Sequence, residues 1–142
     1  LQEEQILGVA LRNPDGVALF QVNQNQTSRP QLTLRHLEGS CDDPTRLLPF
    51  EVDDQSYLAL TCRGEHTVRV HRSDDLTLVA IREDDGESPQ DLTWDAANQK
   101  LWVSYFQSHF LGLYGFQHEN GALQMSFLGQ VGSDNGPMEI PE

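Results

Sequence analysis

Tyr57-Leu58-Ala59-Leu60, followed by His66-Thr67-Val68-Arg69-Val70, comes round again as Leu101-Trp102-Val103-Ser104, followed by Phe110-Leu111-Gly112-Leu113-Tyr114. Working outward, Pro44 to Phe50 precedes the first copy and Pro89 to Trp94 the second. Residues 44–72 therefore lie over residues 88–116 at a constant offset of 44, without a gap. Self-similarity at roughly 40 to 45 residues, carried on short strands, is the mark of a β-propeller blade.

The rest of the chain follows the same rhythm. Short runs of alternating or continuous apolar residues are separated by Gly, Pro, Asn and Asp, and no amphipathic helix interrupts them. Ile6 to Arg12 turns at Asn13-Pro14-Asp15-Gly16 into Val17 to Val22, a clear hairpin, and a polar loop leads on to Leu32 to His36. The second unit places strands at 46–52, 57–62, 67–71 and 76–81. The third places them at 91–94, 101–105, 110–116 and 123–128, its last connection lengthened by His118-Glu119-Asn120-Gly121.

The expected fold is all-β: a partial β-propeller of about three four-stranded antiparallel blades, in units 1–40, 41–84 and 85–131 of a single fragment spanning 1–142. The first unit lacks its opening strand. Residues 132–142, with Pro137-Met138-Glu139-Ile140, resemble an opening strand with nothing after it. Three blades are too few for the usual ring of about four to eight, so missing sequence or a second chain must complete it. A two-sheet β-sandwich is the rival, should the 44-residue recurrence be accidental.

Composition narrows the partners. A formal net charge of -13, from 9 basic and 22 acidic residues, repels nucleic-acid phosphates and anionic lipid surfaces, so neither nucleic acid nor membrane is expected. No apolar run approaches the ~18 residues that span a bilayer. The start, Leu1-Gln2-Glu3-Glu4, has no basic segment leading into an apolar one and suggests a mature chain or an excised fragment. Cys41 and Cys62 lack the spacing of a zinc ribbon or redox pair. Two free thiols are the expectation for a chain inside the cell, whereas a bridge would form if both cysteines flank one hairpin. Asn25-Gln26-Thr27 fits the glycosylation pattern, which matters only in a secreted chain.

The stretch Asp91-Leu92-Thr93-Trp94-Asp95 with Asn98-Gln99-Lys100-Leu101-Trp102-Val103-Ser104-Tyr105 resembles the strand-turn-strand core of WD40, NHL and YVTN-type propeller repeats. Residues 57–70 are similar to the second and third strands of a YVTN blade. The WD40 Gly-His and Trp-Asp signatures do not stand in their places, since Trp94-Asp95 ends a first strand. The resemblance implies a scaffold that binds proteins or peptides; some relatives with YVTN-like blades are enzymes.

Candidate chemistry is sparse. The pairs Asp42-Asp43, Asp53-Asp54, Asp74-Asp75 and Asp84-Asp85 fall at expected turns, where Asp bonds nearby amides, and no calcium-loop spacing is present. His36, His66, His71, His109 and His118 show no metal-ligand spacing, and no nucleophile elbow or phosphate loop occurs. No cofactor and no metal is therefore expected. The aromatics of the third unit read as core packing.

Two functions follow. The first is a non-enzymatic protein–protein interaction scaffold, with a binding face formed by rim loops around Arg63, His66, Arg69 and Arg72 and around Gln107, His109 and Phe110. The second is a lactonase-like propeller enzyme with a metal or carboxylate site at its central channel.

Overall fold

A computed structural model describes residues 5–23, 30–39 and 41–132. The strands are β1 (Gln5–Leu11), β2 (Gly16–Asn23) and β3 (Gln31–Glu38), then β4 (Pro44–Val52), β5 (Gln55–Cys62), β6 (Thr67–Arg72) and β7 (Leu78–Glu83), then β8 (Pro89–Asp95), β9 (Lys100–Tyr105), β10 (Phe110–Glu119) and β11 (Ala122–Gly132). They form three antiparallel sheets, each ordered as its strands follow in the chain, the first of three strands and the others of four. Three sheets exclude the two-sheet rival. Among the described residues a single 3-10 turn, Arg63–Glu65, is the only helical element.

The second and third sheets repeat at the level of single backbone bonds. Each opens on a proline, where a missing N–H costs nothing, and the register slips at once: between Pro44 and Arg46 in β4, between Pro89 and Asp91 in β8. Pro44 pairs with Cys62, and Pro89 with Tyr105. The residue before each proline, Asp43 or Ser88, is left-handed (φ 51 and 56), and its carbonyl accepts a bond from the Arg63 or Phe106 amide. His66 and His109 both close the next hairpin at φ 57.

These correspondences correct the gapless 44-residue alignment. Pro44 to Pro89 is an offset of 45, whereas Cys62 to Tyr105 and His66 to His109 are offsets of 43. The first hairpin of the third sheet is shorter by two residues. Two opposite errors averaged to one clean number.

Among the described residues the first sheet obeys the same plan without a first strand. Four residues separate the paired ends Leu11 and Gly16, as they do Cys62 and Thr67, or Tyr105 and Phe110. The links Gly39–Asp43 and Asp84–Ser88 also match, five residues each. β1, β2 and β3 are thus counterparts of the second, third and fourth strands of the other sheets.

Two apolar layers join the sheets. Val17 and Leu19 pack on Leu58, Leu60, Cys62 and Leu76 between the first and second. Phe50, Val52, Val68 and Val70 pack on Leu101, Val103, Tyr105 and Tyr114 between the second and third. The first strands of neighbouring sheets also touch: Thr45 Oγ1 donates to the Pro89 carbonyl at 3.1 Å, and Arg46 Nε lies 3.3 Å from Asp91 Oδ1.

Several local expectations change. The last strand of the second sheet starts at Leu78, not Leu76; Leu76 turns left-handed (φ 61) to bury its side chain. His118 is a strand residue of β10, and only Asn120-Gly121 remains as the turn. In place of two free thiols, Cys41 and Cys62 form a disulfide with Cα atoms 5.3 Å apart. The Pro44–Cys62 pairing puts Cys41 beside the end of β5, which makes that bridge geometrically natural.

Candidate interaction surface

Because strand side chains alternate, every sheet has a face toward the sheet before it and a face toward the sheet after it. In β5 the preceding face carries Leu58, Leu60 and Cys62, and in β9 it carries Leu101, Val103 and Tyr105; all six are buried. Their counterparts in β1 are Leu7, Val9 and Leu11, on the face turned away from the second sheet. Cross-strand pairing extends this face through Ala18 and Phe20 of β2 to Leu34 and Leu37 of β3. On this face Ala18 is buried and Val9, Leu11 and Phe20 are half-buried, while Leu7 is 42% exposed, Leu34 53% and Leu37 64%. Monomers rarely present such a continuous apolar face to water unless something covers it.

The edge of the same sheet is open as well. β1 pairs with β2 on one side only, so among the described residues its other row of N–H and C=O groups has no strand partner. A cleft of about 530 Å³ opens between the first and second sheets, lined by Ile6, Gly8 and Leu19 on one side and by Leu47, Pro49 and Leu58 on the other.

The far end of the stack is less apolar. The outward face of the third sheet carries Trp102, Leu111, Leu113 and Val131, all half-buried, and exposed Leu128, interspersed with Thr93, Ser104 and Ser126.

The rim residues singled out in the sequence divide between two ends of the sheets. Arg63, His66, Gln107 and His109 share one end, on the equivalent turns after β5 and β9. Arg63 Nε bonds Asp43 Oδ2 at 2.7 Å and its Nη1 donates to Gln90 Oε1 at 3.3 Å. His66 Nδ1 accepts the Ser88 amide at 3.0 Å, tying this turn to the link between sheets. Arg69 lies within β6, bonded to Glu65 at 2.8 Å. Arg72 sits at the opposite end, paired with Asp74. Phe110 is 2% exposed, packed against Tyr105 in the core, so its side chain does not face a rim; Phe106, in the same turn, is the exposed aromatic.

Two polar clusters escaped the sequence. Arg82 forks onto Asp85 at 2.8 and 2.9 Å, Asp85 accepts from the Tyr114 hydroxyl at 3.0 Å, and Tyr114 meets the Tyr105 hydroxyl. Burial pushes both phenols well above their ordinary range, so they stay protonated. On the other end, His118 bridges Asp53 at 2.9 Å and the Tyr57 hydroxyl at 2.7 Å, linking the second and third sheets. Nothing in the spacing of these residues signals either cluster, because each joins side chains across sheets. At the first end Asp15 accepts the Asp43 and Asn13 amides, which lowers its pKa, while partial desolvation and the neighbouring Asp15 raise that of Asp42.

Among the described residues no three His, Cys, Asp or Glu side chains converge as a metal site, and no helix is long and apolar enough to cross a membrane. Asn25 and residues 133–142 lie outside the described residues. Set against protein-family models, curated proteins and solved structures, the chain matches none, and its own geometry carries the functional argument.

Proposed function

We propose that this chain is a protein–protein interaction module built as an incomplete β-propeller, and that its docking surface is the first sheet. One observation carries the reading: the apolar face that is buried in the second and third sheets is largely exposed at Leu7, Leu34 and Leu37 in the first, next to a strand edge that has no partner among the described residues. Burying it removes Leu7, Leu34 and Leu37 from water at about 25 cal/mol per Å². Specificity would come from the backbone row of β1, which accepts a further strand and rejects rounded surfaces.

The propeller reading is supported by the shared register of the β4–β5 and β8–β9 pairings, by the stacking of each sheet on the next, and by the three-strand first sheet among the described residues. The disulfide suits an oxidising compartment, where an acidic docking module would meet its partner outside the reducing cytosol.

The test is site-specific photocrosslinking with the probe at Leu34 in one variant and at Gln107 in another. Adducts of one defined protein from Leu34, lost when Leu37→Asp is added, are the expected result. Adducts confined to Gln107 would move the docking surface to the rim and overturn the assignment.

A further inference from the structure

The cleft between the first and second sheets owes its existence to small residues at positions that the next joint fills with aromatic rings. Between the second and third sheets four rings close one end of the core. Phe50 lies 5.7 Å from Tyr57, 4.8 Å from Trp94 and 5.1 Å from Phe116, centre to centre. The pairing registers carry these positions back by one sheet. Pro49 stands opposite Leu58 as Trp94 stands opposite Leu101, and Ile6 stands opposite Gln21 as Tyr57 stands opposite Arg72. His71 opposite Leu58 matches Tyr114 opposite Leu101, which puts Ser73, two residues further on, in the place of Phe116. Three of the four rings are thus replaced by isoleucine, proline and serine. The fourth, Phe50, which touches the other three, has no counterpart among the described residues of the first sheet.

The result is a gap with a sealed floor. Deeper in the joint, Val17 and Leu19 pack on Leu58 and Leu60, much as Val68 and Val70 pack on Leu101 and Val103 in the next one. Toward the open end the walls stay apolar at Ile6, Leu47 and Pro49, and about 530 Å³ is left unfilled. Pockets that enclose a ligand span about 300–1,000 Å³, so this one has room for an aromatic side chain and the backbone that carries it. The lip is polar. It carries Ser56 and Ser73, whose hydroxyl donates to the Ser56 carbonyl at 3.1 Å, and exposed Glu51, the single charged residue of the lining. Asp53 and Asp54 follow Glu51 on the adjoining turn and strengthen the negative potential there.

We infer that this cleft is a recognition site for an aromatic side chain flanked by basic residues in an extended segment of a partner protein. The ring takes, against Ile6, Pro49 and Ser73, the place that Phe50 takes against Tyr57, Trp94 and Phe116. It brings a large apolar area at little cost in side-chain freedom, which is why aromatic anchors dominate small recognition pockets. The flanking ammonium or guanidinium group meets Glu51, and an acidic segment is turned away by the same carboxylate. This site lies on the face of the first sheet turned toward the second. It therefore goes beyond the docking reading of the opposite face, and each stands or falls on its own measurement.

The experiment titrates the isotope-labelled full chain with capped tripeptides and follows the backbone amide shifts. Lys-Trp-Lys should shift the amides of Gly8, Leu47, Leu58 and Ser73 in a saturable way. Lys-Ala-Lys should leave them in place, and Glu-Trp-Glu should bind roughly tenfold more weakly or worse, since attraction at the lip becomes repulsion. Ser73→Phe restores one ring of the next joint from within; it should abolish the Lys-Trp-Lys shifts while the amides of the third sheet keep their positions. Glu51→Lys, a change on an exposed side chain, should reverse the order of the two tryptophan peptides.

An absence of shifts at the cleft amides, equal binding of Lys-Ala-Lys, or an unchanged peptide order in the Glu51→Lys chain would overturn the proposal. Shifts confined to Leu7, Leu34 and Leu37 would overturn it too and assign the peptide to the outward face. Leu34 faces away from the cleft, so its crosslinked adducts should persist in the Ser73→Phe chain. If Leu34 gives no adduct in any chain while Lys-Trp-Lys still fills the cleft, the docking reading falls and this site stands.

Discussion

Leu7, Val9 and Leu11 in the first sheet and Leu101, Val103 and Tyr105 in the third hold the same structural positions and have different fates. The latter three are sealed between sheets; on the outward face of the first sheet Leu7 is exposed and Val9 and Leu11 are half-buried. Similar residues on equivalent strands, with the same turn length after them, thus differ only in what stacks against them. Burial is a property of the neighbour and not of the strand. A repeat protein is accordingly weakest in solubility at its terminal units, where the repeating face meets no successor.

That contrast can be broken most forcefully by truncating both counterparts. Leu101→Ala should cost about 2–5 kcal/mol in denaturant unfolding, whereas Leu7→Ala should cost about 1 kcal/mol or less. Equal costs would mean that the first face is covered after all.

The disulfide sharpens the comparison next. It ties the link before the second sheet to the end of β5, a clamp with no counterpart in the third sheet, where Tyr105 stands in the place of Cys62. Replacing both cysteines with serine should lower stability by about 3 kcal/mol, the expected entropy of a loop of this length, and should loosen amide exchange in the first two sheets more than in the third.

Tyr114→Phe addresses the third sheet alone. It deprives Asp85 of a donor and leaves the Tyr105 hydroxyl searching for a partner, at an expected cost of about 1–3 kcal/mol. Thermal unfolding reads it directly.

His71 tests the joint between first and second sheets through pH. Its ring is buried, Nδ1 contacts the Leu76 carbonyl at 2.9 Å, and Nε2 has no protein partner. Burial holds its pKa below the ordinary 6.5, against the opposing pull of the Leu76 carbonyl and Glu38 and with a small contribution from Arg69. The unfolded chain therefore takes up a proton first as pH falls. The stability from the neutral ring is complete above about pH 6.5 and is lost progressively below it, toward the depressed value. His71→Gln should flatten that slope; an unchanged slope would assign it to other groups. Smallest of all, Arg72→Ala removes an exposed, solvent-screened ion pair with Asp74 and should leave the unfolding midpoint nearly unchanged.

Much of this architecture is readable in the amino-acid order because its causes are local. Asn13-Pro14-Asp15-Gly16 can hardly do other than turn, the nearly continuous apolar run Tyr57 to Cys62 suits a strand buried on both faces, and recurrence shows how many such units follow one another. The absent opening strand of the first unit and the acidic turns come from the same short-range chemistry. The His118–Asp53–Tyr57 bridge was not readable, since its members are 61 and 65 residues apart and meet only when two sheets stack. Nor could Phe110 be separated from Phe106: four residues apart on one turn, they exchange inside and outside according to a single left-handed residue, His109.

What the order of residues determined by itself was the strand rhythm, the turns and the count of units, because φ/ψ preference and side-chain alternation act over a few neighbours. Only the tertiary structure decided that Cys41 meets Cys62, that the repeat is 45 residues on its first strand and 43 on its next two, and that, among the described residues, the apolar face of the first sheet has no sheet stacked on it. Those depend on which sheet stacks on which, a long-range choice that residues distant in the chain make together.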